Sequence, residues 1–130
     1  MSYKIERTLD FKTQYRKLTK KNHTLQERLD KRLTQIIEDP IIGEPKRYNL
    51  KYTRGSHVDP FVVVYMIIED TILFISVDHH DTVYKEAPKI LRDIKLEFPE
   101  LWAAMSPSLR QHLDAGHFAA KSILSCELLA

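Results

Sequence analysis

The chain has 130 residues, 43% hydrophobic and 29% charged, which predicts one soluble globular domain and excludes intrinsic disorder. Its longest apolar run, Phe61–Ile68, is too short to span a bilayer, and the charged first ten residues exclude a signal peptide. Cys126 is the single cysteine, which excludes an internal disulfide and a cysteine-based zinc cluster. We therefore expect a cytoplasmic protein with no membrane partner.

Two amphipathic helices follow a short first strand, which alternation over residues 3–8 predicts. Asp10 can cap the first helix, and the second begins at a capping-box pattern over residues 24–27 and stops before Pro40. The apolar residues of the first helix recur at helical spacing: Phe11, Tyr15 and Leu18. A short link joins the two helices, so we expect an antiparallel hairpin that covers another surface.

That surface comes from three further predicted strands. Residues 46–57 mix polar and apolar side chains and predict an irregular or edge strand. Phe61–Ile68 predicts a central strand, residues 69–70 a tight turn, and residues 71–78 the return strand. The order β-α-α-β-β-β predicts an α+β fold, with the helical hairpin packed on one face of a small antiparallel β-sheet.

The C-terminal part has a different character. Residues 86–105 predict an amphipathic helix that Pro99 kinks or interrupts. Residues 106–130 are rich in apolar side chains, which leaves open a docked helix, a subunit contact, a loose terminus or an extension that is not native. We divide the chain into a domain of residues 1–89 and a C-terminal helical extension of residues 90–130.

Net charge is only +2, yet the charge is unevenly distributed. Residues 1–54 hold 14 Lys/Arg against 7 Asp/Glu, whereas residues 55–130 hold 6 against 11. Such asymmetry favours one face that meets a polyanion and another that meets a basic partner. Ordinary helices with solvated, lysine-rich exteriors would give the same counts.

The end of the return strand carries four side chains that can exchange protons or bind a phosphate: His79, His80, Asp81 and Tyr84. Functional residues concentrate where a rigid strand passes into a loop, so this is the first candidate catalytic site. A carboxylate beside an imidazole can fix its tautomer and raise its basicity. Each histidine could instead bond a carbonyl at a strand end, and Tyr84 could pack at the sheet edge. If the strand continued, His79 and His80 would point to opposite sides.

The irregular segment of residues 46–57 interleaves cations with aromatic rings. In a groove for single-stranded RNA, charge holds phosphates and rings stack on bases. The RNA-binding candidates are Arg47, Lys51, Tyr52 and Arg54, with Lys46 and Tyr48 in the same segment. Alternating solvent-facing residues of an edge strand would look the same. We expect the histidine pair to open onto the same hollow as these cations.

The order of these elements resembles the RelE/ParE superfamily of toxins from toxin–antitoxin modules. The resemblance spans residues 3–84 and rests on the early strand, the helical hairpin and four further stretches: residues 38–40, 43–51, 61–65 and 78–84. RelE-like members cut messenger RNA in the ribosomal A site, where the RNA 2′-hydroxyl attacks the neighbouring phosphate. ParE-like members instead poison gyrase, and an antitoxin that wraps the toxin silences both.

This resemblance implies a ribosome-dependent mRNA endoribonuclease that needs no metal or other cofactor. His79 and His80 would serve proton transfer or transition-state charge, Asp81 would orient an imidazole, and Tyr84 would contact the scissile region. A His-x-Asp metal site has no support elsewhere in the sequence. The implied partners are a cognate antitoxin and mRNA on the ribosome, in a homodimer or a toxin–antitoxin hetero-oligomer.

Two departures from the family pattern point in opposite directions. Val62 stands where RelE-like chains usually carry arginine, which favours a ParE-like gyrase inhibitor or an inactive relative that acts through its antitoxin complex. His79 and His80 stand where a His-Arg or Lys-Arg pair is common, and an imidazole can move protons near neutral pH whereas arginine stays charged. The histidines therefore favour the nuclease. A structural RNA-binding domain without toxicity is a third alternative.

Overall fold

The computed structural model describes residues 2–114. Its strands are β1 (Lys4–Arg7), β2 (Glu44–Pro45), β3 (Arg54–Val58), β4 (Phe61–Ile68) and β5 (Thr71–His79). Its helices are α1 (Leu9–Thr19), α2 (His23–Glu38), α3 (His80–Arg92), α4 (Ile94–Glu97), α5 (Pro99–Ala104) and α6 (residues 107–114). Two 3-10 turns, Pro40–Ile42 and Tyr48–Leu50, flank β2. Within residues 2–114, no helix combines the length and the apolar character needed to cross a membrane.

The strands form one sheet in the order β1-β5-β4-β3-β2. Strands β2 to β5 pair antiparallel with their neighbours, but β1 lies parallel to β5. The predicted α+β class with a helical hairpin on the sheet is confirmed. The sheet is mixed rather than wholly antiparallel, because α1 and α2 carry the chain away from β1 and leave that strand at the far edge beside β5. A pattern of alternating residues does not reveal which edge a strand joins.

Buried or short polar side chains fix where the hairpin helices begin. Thr8 Oγ1 accepts from the Phe11 amide at 3.0 Å and donates to the Ile75 carbonyl at 2.7 Å, so it caps α1 and ties it to β5. The expected cap, Asp10, is wrong, because α1 begins at Leu9 and Asp10 lies in its first turn. Asn22 caps α2. The expected capping box over residues 24–27 is therefore already inside that helix.

Both faces of β4 and β5 are buried, and alternate residues on them join different clusters. On the hairpin face lie residues of the two helices and of the strands: Phe11, Leu29, Ile36, Val63, Tyr65 and Phe74. On the opposite face the strands meet the C-terminal helices: Val62, Val64, Leu73, Ile90, Leu91, Ile94, Leu109 and Leu113. Residues 2–114 thus form three layers, and α3 to α6 cover the sheet face that the hairpin leaves open.

The C-terminal helices differ from the predicted single helix over residues 86–105. The first of them begins at His80, and the helical path is interrupted after Arg92 and again at Phe98. Pro99 is the first residue of α5. Proline is tolerated there because an amide at the first position of a helix would have no hydrogen-bond partner within the helix. Ile90 shares one buried cluster with β4 and β5. The predicted boundary between a domain of residues 1–89 and an extension of residues 90–130 stays a prediction. Apolar side chains on the two sides of this boundary pack together in one cluster.

Within the hairpin, the Tyr15 hydroxyl of α1 donates to the Asp30 carboxylate of α2. Burial, together with this bond to the carboxylate, raises the pKa of Tyr15 to about 12. The bond therefore joins the two helices at their outer side while the apolar residues pack on the sheet.

The Tyr65 hydroxyl anchors the loop after α2 to the sheet. It accepts from the Gly43 amide at 3.0 Å and donates to the Pro40 carbonyl at 2.6 Å, and the side chain is fully buried. A Cβ at Gly43 would lie 2.4 Å from this hydroxyl, so the close approach requires glycine. Burial also raises the pKa of Tyr65, which keeps the phenol neutral.

We predict that Tyr65→Phe lowers the free energy of unfolding by about 1–3 kcal/mol, because it leaves a buried N–H and C=O without partners. Urea denaturation followed by circular dichroism measures the change. The matched control is Tyr48→Phe, which removes the same atom from a side chain that is 88% exposed and should change stability by less than about 0.5 kcal/mol. Equal effects of the two substitutions would contradict the anchoring role.

Candidate functional site

The candidate catalytic residues lie where β5 passes directly into α3. The strand ends at His79 and the helix begins at His80, so His80, Asp81 and Tyr84 are helical. His79 caps the helix, since its Nδ1 accepts from the Asp81 amide at 3.2 Å. The alternation expected for a continuing strand therefore does not apply. Instead the two imidazole rings lie side by side, with centroids 4.4 Å apart.

The Asp81 carboxylate lies between the two imidazoles. Its Oδ1 is 2.9 Å from His80 Nδ1, and its Oδ2 is 3.6 Å from His79 Nδ1. The side chains are 41%, 50% and 74% exposed for His79, His80 and Asp81, so the cluster faces solvent rather than aliphatic neighbours. We call these three residues the histidine–aspartate cluster. Its arrangement can orient an imidazole and balance a positive charge on it.

Tyr84 contacts a cation from a distant part of the chain. Lys46 Nζ donates to the Tyr84 hydroxyl at 3.0 Å and lies 5.1 Å from the centre of its ring. His80 and Tyr84 are four residues apart on α3 and therefore neighbour each other on one helix face. The contact extends the candidate site by one turn of α3 and adds Lys46 to it.

Gly55 makes the Lys46–Tyr84 contact sterically feasible. A Cβ at Gly55 would lie 2.4 Å from Lys46 Cε and 3.4 Å from Val62, so the lysine stem crosses β3 where a side chain is missing. Lys46 lies in the predicted basic segment but is not among the four residues predicted to bind RNA. A glycine inside a predicted strand was the signal for it, since such a residue often marks close approach by another group.

Arg54 lies on the other face of the sheet. It pairs with Tyr65 in the β3–β4 ladder, and its guanidinium donates to the Ile41 carbonyl at 3.1 Å and the Gly43 carbonyl at 2.7 Å. The expectation that the histidines share one hollow with Arg54 is wrong, because Arg54 pairs with Tyr65 whereas His79 pairs with Phe61, four residues away along β4. Arg54 supports the loop after α2, and its RNA contact stays a prediction that this placement does not favour.

The other RNA-binding candidates lie along the segment between β2 and β3. Lys51 Nζ is 5.2 Å from the centre of the Tyr52 ring, and this ring packs edge-on against His112 of α6, with ring centroids 5.5 Å apart. Arg47 is exposed just before the 3-10 turn. Tyr48, at 88% exposure, offers the most open aromatic face of the segment. These residues form a basic, aromatic surface beside α6.

Comparison with known proteins decides the family. A family model described as the ParE toxin of the type II toxin–antitoxin system, parDE, matches residues 5–84. The chain belongs to the RelE/ParE superfamily of toxins. The matched stretch runs from β1 through β5 into the start of α3, so it contains the histidine–aspartate cluster and Lys46 of the toxin.

Individual relatives agree with this assignment. A Methanocaldococcus jannaschii protein that carries the name of a RelE4 toxin is 29% identical over 94 residues, which cover 70% of this chain and 99% of the relative. An arginine double mutant of Escherichia coli RelE, solved in the free state, is 26% identical with a TM-score of 0.56 and covers 68% of this chain and 97% of its own.

Two further solved structures share the fold at lower identity. A chain of the Escherichia coli DinJ–YafQ toxin–antitoxin complex is 20% identical, with a TM-score of 0.55, and covers 65% of this chain and 99% of its own. A chain of the toxin–antitoxin complex RelBE2 from Mycobacterium tuberculosis is 20% identical, with a TM-score of 0.52, and covers 62% of this chain and 100% of its own. Each structure thus matches a compact domain, and about a third of the toxin lies outside the match.

We predict that Lys46 and Tyr84 are energetically coupled. In a double-mutant cycle of Lys46→Met and Tyr84→Phe, the coupling free energy should be about 0.5–1 kcal/mol, because each single change breaks the same partly exposed hydrogen bond. Urea denaturation of the four proteins gives the value. The control cycle pairs Lys51→Met with Tyr84→Phe and should show no coupling. A zero value for the first cycle would remove Lys46 from the site.

Proposed function

We propose that this toxin is a ribosome-dependent mRNA endoribonuclease that acts by attack of the RNA 2′-hydroxyl on the adjacent phosphate. The observation that carries the proposal is that the imidazole pair, with His80 oriented by the Asp81 carboxylate, and the Lys46–Tyr84 contact lie along the first turns of α3. These groups supply what the reaction needs: a proton acceptor, a cation for the phosphorane charge and a donor for the leaving oxygen.

The proton acceptor is His80. Its Nδ1 faces the Asp81 carboxylate at 2.9 Å, so the proton of the neutral ring belongs on Nδ1 and the lone pair on Nε2. That nitrogen takes the 2′-hydroxyl proton as the O2′–P bond forms, and Asp81 balances the resulting imidazolium. His79 has the opposite tautomer, because its Nδ1 already accepts a hydrogen bond from the Asp81 amide. Its Nε2–H is therefore a hydrogen-bond donor for a phosphate oxygen.

Lys46 and Tyr84 serve the other side of the phosphate. The Lys46 ammonium balances charge on the non-bridging oxygens. The Tyr84 oxygen accepts from Lys46, which leaves its own O–H free to donate to the departing 5′-oxygen as the P–O5′ bond breaks. The products are a 2′,3′-cyclic phosphate and a 5′-hydroxyl. Arg47, Lys51 and Tyr52 hold and stack the neighbouring nucleotides.

The partner that silences this activity is a cognate antitoxin. Support comes from the solved neighbours, which include toxins in complex with their antitoxins.

A specific observation also supports a second function, inhibition of gyrase without catalysis. The matching family model is described as the ParE toxin, and Val62 is fully buried under the C-terminal helices where RelE-like chains usually carry arginine. In this alternative, the histidine–aspartate cluster caps α3 and has no chemical role.

A cleavage assay on purified ribosomes with a defined message separates these functions. We expect wild-type toxin to cut the message, and His80→Ala to lower the rate by about 100- to 10,000-fold, the usual contribution of a general base. The matched control is His57→Ala, which removes an exposed histidine beside a carboxylate, Asp59, at another strand end. It should cut within about twofold of wild type.

Other outcomes would overturn the nuclease. Intact message together with inhibited supercoiling by purified gyrase would establish the second function. RNA binding without cleavage would instead establish a structural RNA-binding domain. Equal loss in His80→Ala and His57→Ala would remove His80 from the mechanism.

A further inference from the structure

The β5–α3 junction brings three metal-ligating side chains together. In the part of the chain that the structure describes, one ligand atom from each of His79, His80 and Asp81 lies within 4.8 Å of the other two. The sequence offered only a His-x-Asp pair. The turn from strand to helix adds the third donor, because it brings the two imidazoles to the same side of the chain with centroids 4.4 Å apart.

The donor spacing suits one small ion. Ligands bound tetrahedrally to zinc at about 2.0–2.1 Å stand about 3.4 Å from each other. Asp81 Oδ1 lies 2.9 Å from His80 Nδ1, and Asp81 Oδ2 lies 3.6 Å from His79 Nδ1. One donor atom from each residue lies within 4.8 Å of the other two, so small side-chain rotations bring three donors to that spacing. All three side chains are partly exposed, so an ion can reach them and can keep water on its remaining position.

The donor chemistry selects the class of ion. Imidazole nitrogen suits zinc, cobalt, nickel and copper, whereas magnesium and calcium prefer sites made entirely of oxygen. Two imidazoles and one carboxylate with an open position match a three-ligand zinc site. We propose that His79, His80 and Asp81 bind one divalent transition-metal ion, with zinc as the representative ion, and that the bound ion switches off the toxin's RNA chemistry.

The inhibitory half of this inference rests on the proposed nuclease. Coordination through His80 Nδ1 moves the ring proton to Nε2, the nitrogen that would accept the 2′-hydroxyl proton. Coordination through His79 Nδ1 replaces its capping bond to the Asp81 amide. The ion and the reaction therefore need opposite tautomers of His80, and one excludes the other.

Cobalt(II) is the probe for binding, because its visible absorption reports the ligands without any enzymatic activity. The full chain is used in a Cys126→Ser background, so that the thiol adds no ligand. We expect saturation at one equivalent. His80→Gln and Asp81→Asn should each weaken binding at least tenfold, as should His79→Asn, which keeps a residue suited to cap α3.

The matched control for binding is His57→Gln, whose imidazole lies 4.0 Å from the Asp59 carboxylate in a pair without a third donor. It should bind cobalt within about twofold of the parent. Absence of saturable binding, or equal binding by the parent and the three cluster variants, would overturn the site.

The inhibition is tested separately with zinc in the ribosome assay. One equivalent of zinc should lower cleavage at least tenfold, and a zinc-selective chelator should restore it. Unchanged cleavage while the cluster holds the ion would overturn the inhibitory half. Cobalt binding at the cluster in a protein that never cleaves RNA would instead support the site and remove only the proposed nuclease.

Discussion

Burial of β4 and β5 on both faces is the constraint on which the rest of this structure depends. Eight consecutive residues, Phe61–Ile68, are apolar, so neither face of that strand can be left to water. The hairpin of α1 and α2 covers one face, and α3 to α6 must cover the other. Val62 belongs to this arrangement: an arginine there would place an unpaired charge under α3, and valine is the residue that the covered face tolerates. The departure from the family pattern thus follows from packing as well as from any change of function.

The same constraint builds the candidate site. Because α3 must fold back over β4 and β5 at once, no loop separates it from β5, and the junction falls on His79 and His80. The His80 amide donates to the Pro60 carbonyl at 3.0 Å, which fixes the junction beside the β3–β4 turn. From that start, one turn of helix carries Tyr84 to the surface above Gly55, where Lys46 crosses the sheet. Packing of the core therefore sets the geometry of groups that are themselves exposed.

Much of this fold could be predicted from the sequence, and the misses have physical reasons. The bounds of β4 were predicted correctly because a short, continuous run of β-branched and aromatic residues lies between Pro60 and a turn, and such a run favours a buried strand. The start of α3 was missed because Val83 and Tyr84 have strand propensity, and the packing of Val83 on the sheet overrides it. Arg54 was grouped with the histidines because a cation in an irregular segment gives no sign of its face. Only the register of β3 against β4 shows that it turns toward the hairpin.

The exchange of a basic pair for two histidines changes what the junction can do. An arginine or lysine at these positions would hold a phosphate with a permanent charge and could do little else near neutral pH. Two imidazoles beside Asp81 can accept a proton, donate a hydrogen bond or bind an ion, and which of these they do depends on the tautomer of each ring. In the proposed nuclease these imidazoles would transfer protons, and in the proposed metal site the same two rings would bind a transition-metal ion. The proposed catalysis and the proposed metal binding at the β5–α3 junction therefore need different tautomers of His80, and the capping bond to the Asp81 amide favours the metal-free state.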